Sequence, residues 1–133
     1  MLHRRIDLDD VVTAHRRALE RAAAVGFGRY IISSTSPFSS ADLADLRSDA
    51  PRVVLRLLPD YQEIYAGLGW TMFPSIDRVY VNTRARNELG WRPRYGFAHA
   101  LDRLRAGQDP RSPMALAVGK KGYHSEPTGV YST

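Results

Sequence analysis

The sequence predicts an α/β chain in which several amphipathic helices alternate with a few short strands, and three observations predict it. Apolar residues recur at helical spacing through residues 11–22. Short β-branched or aromatic runs stand at residues 30–33 and 76–81, and a compact capped helix is written into residues 82–91. With 133 residues the chain is long enough for one domain with a core and too short for a dinucleotide domain plus a substrate domain. Its 44% apolar and 25% charged residues are the composition of an ordinary globular protein. With no cysteine, disulfides, thiolate metal sites and cysteine nucleophiles are excluded. No apolar run approaches the length of a membrane span, and no hydrophobic signal segment follows Met1-Leu2-His3-Arg4-Arg5, so a cytoplasmic location is expected.

In chain order, Ile6 and Leu8 alternate with Arg5 and Asp7 as a brief strand would. Asp9 and Asp10 then place negative charge at a helix start, where the macrodipole favours it. Val11, Val12, His15, Ala18, Leu19 and Ala22 make the apolar face of a helix ending near Val25, with His15 read as a packed core histidine. Tyr30, Ile31, Ile32 and Ser33 read as a buried strand. Ser39 and Asp42 have the spacing of a capping pair ahead of a helix carrying Leu43 and Leu46, which Pro51 ends. The run Val53, Val54, Leu55, Leu57 and Leu58 suits strand or helix, its length does not decide between them, and strand is the expectation. Pro59 opens a short helix through Ile64 and Tyr65, closed by Gly67 or Gly69. Trp70, Met72 and Phe73 read as packing rather than an aromatic ligand box. Val79 and Val81 alternate with Arg78 and Tyr80 as a second strand.

Asn82 is a good N-cap residue for a helix over residues 83–89, with Ala85 and Leu89 four apart on one face. Gly90 stands where a left-handed turn would close it, Trp91 follows as an aromatic peg, and Pro93 blocks continuation. Phe97, Ala100, Leu101 and Leu104 make a last amphipathic helix ended by Ala106-Gly107. Residues 1–107 form the expected domain and 108–133 a loop-rich tail, with a helical turn or two at 112–119 and disorder from Ser125 to Thr133.

The segment Thr83-Arg84-Ala85, then Glu88-Leu89-Gly90-Trp91-Arg92-Pro93, resembles a signature near the C-terminus of the extended short-chain dehydrogenases/reductases, the NAD-dependent epimerase/dehydratase family that includes sugar-nucleotide epimerases. Two further stretches are similar to that family in the same order: Ile6-Asp7-Leu8-Asp9-Asp10-Val11-Val12-Thr13-Ala14-His15 and Gly28-Arg29-Tyr30-Ile31-Ile32-Ser33-Ser34. The matches cover roughly residues 3–106. The resemblance implies an incomplete, C-terminal part of a Rossmann-type enzyme, whose strand at residues 30–33 would complete a parallel sheet lying outside this chain. The family's Gly-rich dinucleotide turn and its Tyr-x-x-x-Lys pair are both missing. The only lysines are Lys120 and Lys121, preceded at four residues by Leu116 and Ala117.

The implied function is the nucleotide-sugar-binding portion of such an enzyme, from a fragment or a split gene, inactive alone. No catalytic residue, cofactor site or metal site is expected within it; NAD belongs to the complete family enzyme. By that resemblance Arg78 and Arg5 are the candidate substrate-binding residues, facing the ligand's diphosphate. The family's first arginine aligns with His3, and Arg4 and Arg5 stand beside it. The partners implied are a nucleotide-sugar and a cofactor-bearing domain, or a second copy pairing through strand edges.

Two other readings of the residues compete. Net charge is +5 with a pI near 9.9, almost all of the positive charge being arginine, whose fork suits phosphate. That fits a small basic phosphate- or nucleic-acid-binding module, but the arginines are spaced like solvated helix surface, which makes nucleic acid the weaker partner. A non-catalytic interaction protein is the other. His3, His15, His99 and His124 are too dispersed for a local metal site.

Overall fold

Every regular element of the structure, a computed structural model that describes residues 2–119, is helical. The order is α1 (Leu8–Val25), a 3-10 turn (Ser40–Asp42), α2 (Leu43–Ser48), α3 (Ala50–Leu57), α4 (Tyr61–Gly67), α5 (Thr83–Leu89), α6 (Phe97–Arg105) and α7 (Pro113–Val118). The expected α/β class, as part of a Rossmann-type sheet, is therefore corrected: no strand exists among the described residues. The disorder expected from Ser125 to Thr133 lies outside them.

The physical reason differs between segments. Residues 30–33 and 76–81 form no strand: a strand needs a ladder of successive bonds to a partner, and the backbone bonds in and beside these segments are isolated ones. Ser34 N–H donates to the Arg5 carbonyl at 3.1 Å, Tyr80 N–H to His3 at 2.7 Å, and Ile76 N–H to Leu46 at 2.7 Å. The opening alternation at Ile6 and Leu8 likewise forms no strand. Residues 53–57, expected as a strand, are helical. Ala50, Val53, Val54 and Leu57 lie at helical spacing, the Asp49 carboxylate accepts from the Arg52 amide at 3.1 Å, and Pro51 occupies the first turn, so the run is α3.

The local rules held elsewhere. α5 spans Thr83–Leu89 and ends on Gly90 in the left-handed conformation, φ 64°, where a side chain would strain the backbone. Trp91 is 2% exposed. The Ser39–Asp42 capping pair forms, with Asp42 accepting from the Ser39 amide at 2.7 Å.

Two apolar clusters result. The larger joins Leu46, Val53 and Val54 to Tyr61, Ile64, Ile76, Leu101 and Leu2, packing α2, α3, α4 and α6 together. The smaller is Ala14 of α1 against Ala85, Leu89 and Trp91. His15 is corrected too: it is exposed, and its Nδ1 lies 2.8 Å from the Val11 carbonyl rather than in a core.

Candidate functional site

The N-terminal residues 2–5 run alongside the segment 76–81 through the His3–Tyr80 backbone bond, and alongside Ser34 through Arg5. This lays three basic side chains, His3, Arg4 and Arg5, across one cavity of about 250 Å³. The opposite walls are Tyr65 of α4, Met72 and Phe73 of the following loop, and Phe97 at the start of α6. His3 meets Phe73 edge-on at 6.0 Å between ring centres, and Tyr65 meets Trp70 and Phe97 in the same manner at 5.6 and 6.5 Å.

The electrostatics of the cavity are uneven. Burial lowers the His3 pKa, and the neighbouring positive charges of Arg4 and Arg5 lower it further against the opposing pull of Asp77. His3 Nδ1 is buried and has no hydrogen-bond partner among the described residues. A buried polar atom without a partner is costly, and here it stands in the wall of an open cavity. The arrangement can hold an anionic group at the arginines and a flat or apolar ring against the aromatics.

Of the two residues expected to bind substrate, the structure brings Arg5 to the cavity and leaves Arg78 outside its lining. Arg78 is exposed on the neighbouring segment, its Nε donating to Asp77 at 3.3 Å. Met72 and Phe73, read from sequence as packing, are cavity wall; Phe73 is 60% exposed. No local signal would have found this, because Leu2, Tyr65 and Phe97 converge only in three dimensions.

Asp7 and Asp10 hold the frame behind the site. Asp10, fully buried, accepts from the amides of Arg94 at 2.8 Å and Tyr95 at 2.9 Å. Asp7 caps α1 through the Asp9 amide at 2.9 Å and accepts from the Ser112 amide at 3.0 Å, which ties α7 to α1. Burial pushes the Asp7 carboxyl up, but the bonds from Ser112 and Asp9 outweigh it and hold the group below the usual range. Asn82 stands at the N-cap position of α5 as expected, but its side chain makes no cap bond; it donates to the Ser33 carbonyl at 2.8 Å and to Thr35 Oγ1 at 3.1 Å, pinning the segment that was expected to form a strand. The described residues contain no group of acidic and histidine side chains able to hold a metal, and no helix long and apolar enough to cross a membrane. Compared with protein-family models, curated proteins and solved structures, the chain has no match.

Proposed function

We propose that this chain is the nucleotide-sugar-binding portion of an NAD-dependent epimerase/dehydratase-like protein and is catalytically silent alone. The observation that carries the proposal is the cavity in which Arg4 and Arg5 face Tyr65, Phe73 and Phe97. Guanidinia match a diphosphate bidentately, and aromatic walls match a base or the apolar face of a sugar. The cavity takes one part of such a ligand, and Arg78 on the adjoining segment would meet a group that extends beyond it once its exposed pairing with Asp77 yields. Support also comes from the three ordered sequence resemblances, one of which includes Arg84 and Glu88. Those two side chains pair at 2.8 Å, and Glu88 accepts from the Tyr30 hydroxyl at 2.6 Å, linking two of the resembling stretches.

The reading carries a cytoplasmic location and one partner with it. A cofactor-bearing domain, or a second copy, would cover apolar side chains that stand in solvent, Phe27 at 82% and Val81 at 62% exposure. A nucleic-acid module is less well supported, because the arginines are locally matched rather than gathered into a stripe: Arg52 with Asp45 and Asp49, Arg56 with Asp42, Arg94 with Asp9, Arg105 with Asp60, Arg111 with Asp109.

Calorimetric titration with a uridine diphosphohexose tests the function. Saturable binding is expected, weakened about tenfold by Arg5→Ala and less by Arg78→Ala. NAD is expected neither to bind nor to support turnover. Binding indifferent to Arg5→Ala, or epimerase turnover by residues 1–133, would overturn the reading.

A further inference from the structure

Beside Trp91 lies a second cavity that the proposed function does not use. Thr13, Arg16 and Arg17 of α1 face Gly90, Trp91 and Arg92 across an open cavity of about 250 Å³. Three guanidinia share this mouth with one nearby carboxylate. Arg16 Nε donates to Glu20 Oε1 and Arg17 donates to Glu20 Oε2, each at 2.9 Å. Arg92 spends a single terminal nitrogen on the carbonyls of Arg86 at 2.7 Å and Trp91 at 2.9 Å. The other nitrogens of all three guanidinia have no acceptor among the described residues. Because Arg92 occupies carbonyls at the C-terminal end of α5, the negative end of that helix is partly masked where it would repel an anion.

The floor is rigid: the Trp91 indole donates to Thr13 Oγ1 at 3.2 Å, and Thr13 in turn donates to the Asp10 carbonyl at 3.0 Å. At about 250 Å³ the cavity has room for a small group, and the arginines on its rim select for an anion. Exposed arginine–glutamate pairs contribute little, so the Glu20 carboxylate is readily displaced by a more highly charged acceptor.

We propose that this mouth binds a small phosphate-class oxyanion through Arg16, Arg17 and Arg92, with Glu20 as the internal competitor that the anion displaces. The site is independent of the nucleotide-sugar cavity, so either can fail without the other.

Titrating the full chain with inorganic phosphate, at constant ionic strength against chloride, tests it by ¹H–¹⁵N NMR. The Gly90 amide and the Trp91 indole N–H are expected to shift saturably. The double variant Arg16→Ala/Arg17→Ala weakens binding by about tenfold. Glu20→Gln acts in the opposite sense, tightening binding by about twofold to fivefold, whereas Glu63→Gln, the same charge change at a distant exposed site, leaves it unchanged. A uridine monophosphate arm at the same two resonances distinguishes sources: tighter binding than inorganic phosphate marks a phosphate carried on a nucleotide, and equal binding marks the free ion. Equal shifts with chloride, an unaffected double variant that still shows the dispersed Trp91 indole signal, or equal effects of Glu20→Gln and Glu63→Gln would overturn the proposal.

Discussion

Around Leu46, Val53 and Val54 the interior is aliphatic and closed by helix faces. Around Trp91 a few apolar residues are framed by hydrogen bonds that Asp7 and Asp10 accept from neighbouring loops and that Asn82 donates to one. The first region rests on burial, which is non-directional and tolerates changes of shape at constant volume. The second rests on directional bonds to backbone amides, where one wrong atom leaves a buried donor unpaired. The cavity lined by Arg5 is bounded by the first region, and the arginine mouth stands on the second.

Substitutions at the centre of each region sharpen this contrast most. Trp91→Ala is expected to cost about 3–5 kcal/mol in urea denaturation, by removing the largest of the buried side chains that make up its cluster. A loss below about 1 kcal/mol would mean the small cluster is not a core. Leu46→Ala, at 0% exposure, should cost about 2–5 kcal/mol. Here the more useful variant is Leu46→Met, expected to lose under about 1.5 kcal/mol. A larger loss would show the aliphatic region to be as shape-dependent as the polar one.

Asp10→Ala tests the directional region by itself. It strands the amides of Arg94 and Tyr95 and should cost about 1–3 kcal/mol. Faster hydrogen exchange should be confined to residues near 94 and 95, and uniform acceleration would contradict a local latch. Acid should act on the same region. Asp7 titrates below its unfolded value of about 3.9, so its stabilisation is present above that pH and drains as pH falls through the lower folded value. Thermal melts followed below about pH 4 should therefore drop less steeply for Asp7→Asn than for the natural sequence. Identical slopes would remove Asp7 from the account. Smallest of all, Arg84→Ala breaks an exposed pair with Glu88 and should change stability by about 0–1 kcal/mol, although the Tyr30 hydroxyl bond to Glu88 should survive.

The elements read correctly from the residues are those whose causes are local. The helix Thr83–Leu89 follows from its own apolar spacing and from Gly90, and α1 from a long repeat beginning after Asp7. The errors share a different cause. At residues 30–33 and 76–81 the β-branched pattern gave no strand, because whether such a run becomes sheet depends on a ladder partner that no single segment encodes. Val53 and Val54 were expected in a strand, and tertiary burial of the Ala50–Val53–Val54–Leu57 face overruled it. Asp10 read as dipole charge because its two amide partners stand 84 and 85 residues away.

The sequence by itself determined the end of α1 near Val25, the bounds of α5, the Gly90 turn, the Trp91 anchor and the absence of thiol chemistry, since each depends on spacing within a few residues, whereas Leu8, expected in a strand, opens α1. Only the tertiary structure decided that the runs at residues 30–33 and 76–81 stay outside any described sheet, that Asp7 and Asp10 are latches, and that Arg5 and Phe97 face one cavity while Arg16 and Arg92 share another. Those outcomes depend on which distant groups meet. That choice is made by the shared burial of Leu46, Val53, Ile64 and Leu101, and of Ala14, Ala85, Leu89 and Trp91, and not by any one segment's preference.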